Sequence, residues 1–420
     1  MAAPSPDAPV SRAYANYVLG LLFVVYIFNF IDRQILSILI EPVKQELGVS
    51  DTAMGFLTGL AFALFYTFAG IPIAHYADRG VRRTVIAVGL AAWSLMTALS
   101  GLVTSFSQLA LARVGVGVGE AACAPPSHSL LSDYFAPARR GTALAIHAMG
   151  IHAGVLLGFM LGGWFSQSLG WRSAFLLVGL PGLALALLVR LTVRELPRRP
   201  DGPALVSSEA PALSSVLRYL WQIPTFRHMA LGAALTSFTG YSMMTWSAPF
   251  LMRIHGLESG EVGLWLGLIA GLGGAAGTLL GGALSDRLGR RDRRWYLWLP
   301  GLASGAVIPF ALLYLLLPDT ALALAALLPV FALGPLWLGP VFATAQSLAP
   351  PHMRAVASAM LLFVVNLIGL GLGPFLIGLF ADLLAPAFGT EALRYALCLV
   401  VLSSSWSALH FTLAARSATQ

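Results

Sequence analysis

Uncharged apolar runs recur along this chain, each ended by glycine, proline or a cluster of arginines, and their length restricts the fold more than any other feature. A bilayer core about 30 Å thick is crossed by roughly 20 helical residues. A helix also satisfies its own backbone hydrogen bonds, as lipid requires. Twelve such stretches are expected: Tyr17 to Ile40, Met54 to Tyr76, Thr84 to Val103, Gln108 to Leu131, Thr142 to Phe165, Ser173 to Val193, His228 to Leu251, Val262 to Leu284, Trp295 to Leu316, Ala321 to Ala343, Ala355 to Phe380 and Ala392 to Ala414. Only 10% of the 420 residues are charged, against roughly 25% in a soluble domain, so a water-soluble globule is excluded. The expected class is an all-α membrane protein. The first eleven residues lack the basic region and cleavage site of a secretory signal, and the first apolar run is expected to be retained as a span.

Charge orients the spans. Lys and Arg concentrate in short loops on the cytoplasmic side. With the N-terminus inside, inner loops and tails hold 19 of the 25 basic residues, and outer loops hold Lys44, Arg172, Arg253 and Arg394. The remaining two, Arg33 and Arg113, lie within spans. Both termini are therefore expected to be cytoplasmic, in an inner (cell) membrane, and the net charge of +7 reports topology rather than a nucleic-acid partner. Residues 194–227, rich in proline and serine, read as a cytoplasmic linker between six-helix bundles at 1–193 and 228–420. Within that stretch, Leu213 to Trp221 reads as part of the linker, with an interfacial amphipathic turn or two as the alternative.

An offset of 208 residues superposes Gly48 on Gly256, Gly55 on Gly263, Asp78 on Asp286, Arg79 on Arg287, Arg82 on Arg290 and Arg83 on Arg291. Two related six-helix bundles are the architecture of transporters that rock one half against the other around a midplane site. Gly282, Asp286, Arg287, Gly289, Arg290 and Arg291 form the pattern Gly-x-x-x-Asp-Arg-x-Gly-Arg-Arg, and in it the chain resembles the major facilitator superfamily. The first half keeps Asp78, Arg79, Arg82 and Arg83, with Ala74 and Gly80-Val81 departing from the pattern. The resemblance implies two pseudo-symmetric bundles of six helices, and a conformational latch made by these eight charged residues.

A charge at bilayer depth costs about 2.5–3.5 kcal/mol on insertion scales, so an ionisable residue there is a functional candidate. Asp32, Arg33, Arg113 and Glu120 are the four, and they sum to zero. Arg113 and Glu120 are seven residues apart on one helix, about 20° apart in azimuth and about 10.5 Å along the axis, so both can face one cavity. Mutual neutralisation is one reading of the four. The other gives Arg113 the attraction for an anionic group and gives Glu120 or Asp32 a transferable proton that couples movement to a gradient.

Asn29, Phe30, Ile31, Asp32 and Arg33, together with Arg113 and Val116-Gly117-Val118-Gly119-Glu120-Ala121, resemble the spinster branch of the superfamily, transporters of lysolipids and sphingosine phosphate. Val114 stands where that branch usually has glycine. The resemblance implies that Asp32, Arg33, Arg113 and Glu120 form the polar centre of the pathway. With no charge inside the last six spans, the facing wall is expected to come from Tyr241, Thr245, Trp246, Phe342, Gln346 and Asn366. A charged wall opposite an apolar one suits an amphiphile with an anionic head. His147 is a further candidate for proton movement, and Pro125-Pro126, Pro335, Pro340 and Pro374 mark expected kinks.

The expected activity is secondary active transport of a small amphiphilic anion such as a lysolipid, by alternating access with protons as coupling ion. A proton-coupled carrier of soluble organic anions or drugs is the alternative. A membrane receptor or enzyme on the same bundle is the reading from another class. The spans hold no base–nucleophile pair, and no soluble domain exceeds the linker. Cys123 and Cys398 sit in apolar runs unsuited to a disulfide or a metal. The glycine strings lack the lysine of a phosphate loop, so neither a cofactor nor a metal is expected.

Overall fold

The computed structural model describes residues 11–196, 213–350 and 353–418. Twelve rods cross the molecule. In the first half these are α1 (Arg12–Leu47), α2 (Asp51–Thr58 continued by Leu60–Arg79), α3 (Arg82–Ser100), α4 (Phe106–Glu120 continued by Ala124–Tyr134), α5 (Pro137–Leu169) and α6 (Trp171–Thr192). In the second they are α7 (Pro224–His255), α8 (Ser259–Leu266, Gly267–Leu272, Gly273–Gly289), α9 (Trp295–Leu316), α10 (Thr320–Leu333, Gly334–Trp337, Leu338–Leu348), α11 (Arg354–Val365, Asn366–Leu372, Gly373–Phe388) and α12 (Ala392–Val401, Ser403–Ser417). Among the described residues, nine stretches are long and apolar enough to span by themselves. One of these, Val356–Ser417, folds back at Gly389, whose φ of 57° admits the reversal. The broken α4 and the more polar α7 complete the twelve. A short helix, Leu213–Gln222, leads into α7.

Local chemistry sets the ends. Ser11, Ser50, Ser105 and Asp319 accept hydrogen bonds from backbone N–H groups in the first turns of α1, α2, α4 and α10. Gly48 and Gly256, related by the 208-residue offset, both end their helices in the left-handed region, at φ 63° and 68°. The rods overrun the expected spans. The 36 residues of α1 extend about 54 Å at 1.5 Å per residue, longer than the hydrocarbon core, so their ends project beyond it. Proline marks the irregular turns: Pro335 lies in the 3₁₀ turn of α10, Pro374 follows the π turn of α11, and Pro125-Pro126 follow the break at Ala121–Cys123.

Glycine carries the packing. In the first half, a Cβ at Gly154 would lie 2.5 Å from Phe30 Cβ, and one at Gly158 would lie 3.0 Å from Ile31 Cα, so α5 presses directly on α1. In the second half, Gly369 and Gly373 press α11 on Ser237 and Phe238 of α7 in the same way. Between the halves the offset pair Gly55 and Gly263 performs matched work. A Cβ at Gly55 would stand 2.5 Å from the Pro374 carbonyl of α11, and one at Gly263 would stand 3.0 Å from Gly163 Cα of α5. Small residues allow this approach where no hydrophobic force pulls helices together in lipid.

The two halves touch at one end and part at the other. One apolar core draws on both halves, from Leu39 and Phe159 to Trp246, Leu266 and Ile377. Its end of the molecule is sealed by polar ties. Arg253 of α7 bonds Glu41 of α1 at 2.6 Å and both carboxylate oxygens of Asp51 at 2.6 Å. Lys44 adds a 2.7 Å bond to Asp51, and Thr52 Oγ1 donates to Asp382 at 2.6 Å. Gln167 pairs with Glu258, and Ser259 donates to the Gly163 carbonyl. Toward the arginine-rich end the cores separate, one built mainly in the first half and one wholly in the second. The result is a cleft between bundles, closed at the Arg253 end.

Candidate functional site

Arg33 turns from α1 toward α2 and α4. Its Nε donates to Glu120 Oε2 at 2.7 Å, and its guanidinium stands 4.9, 5.0 and 4.7 Å from the ring centres of Phe30, Phe62 and Tyr66. Aromatic faces stabilise a desolvated guanidinium in this way. One residue earlier, about 100° round the helix, Asp32 faces α3 instead and accepts a bond from Thr97 Oγ1. Arg113 is 2% exposed, lies 5.7 Å from the Phe62 ring, and has no hydrogen-bond partner at Nε or Nη1. Glu120, expected to share a cavity with Arg113, is given to Arg33. Its side chain is wholly covered.

Two cavities meet here. The smaller, about 400 Å³, is lined by Arg33, Arg113, Phe62, Thr58, Tyr241 and Thr245 among others. The larger, about 1130 Å³, runs between the bundles into the second half, past Val155, Met243, Val307, Val330 and Trp337. Phe30, Gln34, Tyr241 and Met244 line both, so the cationic pocket opens directly into the apolar chamber. Chemically, the pair offers a place for an anion next to a place for hydrocarbon.

The other candidates divide. Tyr241 and Thr245 lie on the cavity wall. Trp246 does not: it is fully buried and donates Nε1–H to the Pro374 carbonyl at 2.9 Å, because a deeply buried indole N–H takes the nearest free acceptor, here on α11. Asn366 opens the π turn of α11, half-buried and off both cavity walls. Gln346 donates to Ser358, and Phe342 packs in the core of the second half. His147 is buried on the Tyr26 ring at 4.4 Å with His128 at 5.2 Å, and neither ring nitrogen has a hydrogen-bond partner. His152, by contrast, reaches the large cavity and lies 3.2 Å from Thr278 of α8.

The latch residues sit at the open end. Arg82 is buried between Asp133 and Glu195, with Nε to Glu195 at 2.7 Å and Nη1 to Ser129 at 3.1 Å. Arg83 donates from its backbone to Glu195 and from Nη1 to the Val193 carbonyl. These ties run to the first half and to Glu195 just past its end. Asp286 accepts from Tyr296 at 2.7 Å, inside the second half. Arg79, Arg287, Arg290 and Arg291 are exposed; the side chain of Asp78 lies outside the described residues. Among the described residues no metal-binding group of three or more His, Cys, Asp or Glu side chains assembles, and both cysteines are unpaired.

Sequence reasoning missed Phe62, Tyr66 and Thr97, the groups that hold Arg33 and Asp32. An aromatic or hydroxyl in an apolar run looks the same whether it faces lipid or an ion. The hydroxyls Thr236, Ser304 and Ser404 on the large cavity's wall escaped for the same reason.

A twelve-helix, two-bundle membrane protein with a polar centre between its halves is a transporter by architecture. The profile of the Major Facilitator Superfamily matches residues 22–374, and the chain belongs to that superfamily. It is 40% identical over 93% of its length to an MFS-type efflux pump of Mycolicibacterium smegmatis, covering 89% of that protein. A probable galactarate/D-glucarate transporter of Bacillus subtilis is 30% identical over 66% of this chain and 66% of its own. Among solved structures, a bacterial homologue of the human lysosomal transporter Spinster, inward-facing and unoccupied, superposes with a TM-score of 0.88 at 32% identity, over 97% of this chain and 98% of that one. The protein is a multi-pass, spinster-like transporter and not an enzyme.

Proposed function

We propose that the protein moves a small amphiphilic anion, a lysolipid or related lipid, by alternating access with proton coupling. The observation that carries this reading is the continuity of the two cavities: a pocket lined by Arg33 and Arg113 opening through Phe30 and Tyr241 into an apolar chamber of about 1130 Å³. An anionic head beside Arg113 would supply the partners its Nε and Nη1 lack, which a buried cation strongly favours. Glu120 holds Arg33 when ionised. On gaining a proton it would release that guanidinium to the substrate, tying head-group binding to proton binding; Asp32 is the alternative proton carrier.

The arginine distribution supports a reading with the open end and both termini on the cytoplasmic side of the inner membrane, which makes the conformation inward-facing and the Arg253 cluster the outer gate. In this reading the cytoplasmic linker, 194–227 by sequence, joins bundles 1–193 and 228–420; α7 already begins at Pro224, and residues 197–212 lie outside the described residues. A second reading, a proton-coupled carrier of soluble sugar acids, is favoured by the Bacillus subtilis relative. Proteoliposomes separate the two. Labelled lysolipid should exchange across the membrane in a pH-gradient-dependent manner, with galactarate and glucarate failing to compete. Carboxylate uptake without lysolipid movement would reverse the assignment.

A further inference from the structure

The far wall of the large cavity, in the second half, is not purely apolar. Thr236 and Thr239 of α7, Ser304 of α9 and Ser404 of α12 line it, each under a tenth exposed, with Ser407 and Ser403 of α12 directly behind. Thr236 Oγ1 lies 2.9 Å from Ser304 Oγ and 2.7 Å from Ser407 Oγ, while Thr239 Oγ1 lies 3.1 Å from both Ser403 Oγ and Ser404 Oγ.

Counting protons gives this patch a polarity. Each hydroxyl has one proton to donate and two lone pairs to offer. Ser304 donates to the Pro300 carbonyl at 2.9 Å, Ser407 to the Gly232 carbonyl at 2.8 Å, and Thr239 to the Leu235 carbonyl at 3.4 Å. With those protons so placed, Thr236 donates to Ser304 or Ser407; Ser407 can instead donate to Ser304 at 3.3 Å, which also keeps its proton inside the cluster. Ser403 and Ser404 find their acceptor in Thr239. All six protons then find acceptors inside the protein; Thr239, accepting twice, has no lone pair left, and what Thr236, Ser304 and Ser404 keep toward the cavity is lone pairs. The patch accepts hydrogen bonds and donates none.

We infer that the apolar body of the substrate carries a hydroxyl, which donates to the patch of Thr236, Ser304 and Ser404 while the anionic head lies at Arg33 and Arg113. This rests on the proposed anionic-head reading and narrows the substrate class to hydroxylated amphiphilic anions. The donor is a neutral hydroxyl and not an ammonium, because among the described residues α7 to α12 place no carboxylate on the wall of this cavity to compensate a cation. A plain alkyl chain would leave the acceptors unanswered; a second carboxylate would meet lone pairs with lone pairs.

The test is binding to the full-length protein in nanodiscs by alkyl phosphates of graded length, each compared with its ω-hydroxy and ω-amino counterparts. The expected result is that one or more ω-hydroxy compounds bind about tenfold more tightly than the plain compound of equal length, close to 1.4 kcal/mol. Thr236→Val should erase that preference, read as the ratio of ω-hydroxy to plain alkyl phosphate affinity in the same variant, and Thr236→Ser should restore it. Matched thermal unfolding of both variants verifies their folding, and Ser304→Ala is a second probe should Thr236→Val fail it. Equal binding at every length, a preference that survives Thr236→Val and Ser304→Ala together, or tighter binding of the amine overturns the inference alone, provided that Arg113→Ala still abolishes alkyl phosphate binding. No binding of any alkyl phosphate to the wild type overturns the anionic-head reading and this inference with it.

Discussion

Arg113 and Arg33 are both buried arginines of the first half, yet their situations are opposite. Arg33 has a carboxylate at 2.7 Å and three aromatic faces; Arg113 has two N–H groups with no acceptor. Removing one partner of a buried ion pair strands the other and typically costs ~3–5 kcal/mol. Arg33→Ala is therefore expected to lower stability by about 3 kcal/mol, since it leaves Glu120 covered and unpaired. Arg113→Ala is expected to abolish anion transport while holding or raising the unfolding temperature in detergent, because it removes a buried charge that nothing fully answers. A drop in stability as large as that of Arg33→Ala would assign Arg113 to structure. Glu120→Gln keeps shape and loses the proton site, so flux should persist down a substrate gradient and cease to respond to a pH gradient. If the response remains, the proton belongs to Asp32. The four charges were legible in the sequence as an intramembrane set. Who pairs with whom was not, because α1, α3 and α4 bring residues 65 and 87 positions apart into contact.

At the level of elements, the repeat in the sequence marks glycines, and the fold gives each a neighbour. Gly55 and Gly263 match at the 208-residue offset, but only the tertiary arrangement presents them to Pro374 and Gly163 across the two-bundle interface. Gly163 is equally tight: a Cβ there would stand 2.9 Å from Gly263 Cα and press on the Ser259 carbonyl. Gly163→Val is expected to wedge α5 from α8 at the closed end and shift the protein toward the outward-open state, with folding preserved. Paired spin labels at the end of α5 near Gln167 and beside Glu258 would report this as a longer distance; an unchanged distance would mean the helices can absorb a side chain. The irregular turns of α8, α10 and α11 follow the same division. Proline signals those in α10 and α11, whereas the π turn at Gly267–Leu272 has no such marker and arises where α8 packs against Leu156 of α5.

For the whole molecule, stability of this conformation rests on the contacts that close the end opposite the arginine-rich loops. Arg253 supplies the largest of them, joining α7 to Glu41 and Asp51 of the first half. Its removal should bias the equilibrium toward the other state without touching the substrate pocket. Arg253→Gln is thus expected to raise the outward-open fraction, seen as greater labelling of cysteines introduced at the outer face, with anion affinity of the inward state unchanged. Asp286 is tied to Tyr296 within its own bundle in this conformation, so Asp286→Asn should leave the inward-facing state intact and disfavour the state in which the open end closes. Distance distributions across that end measure it, and a loss of affinity with no population change would contradict the latch.

The sequence by itself determined the number of spans, the internal repeat and the intramembrane charges, because each is a local property: run length against bilayer thickness, spacing along one chain, and the cost of an ion in lipid. Tertiary structure alone decided that Glu120 goes to Arg33, that Trp246 is packing and not wall, that the cationic pocket opens into the apolar chamber, and which end is shut. Those outcomes depend on helices distant in sequence meeting at particular azimuths, and an azimuth has no energy until the neighbouring helix is in place.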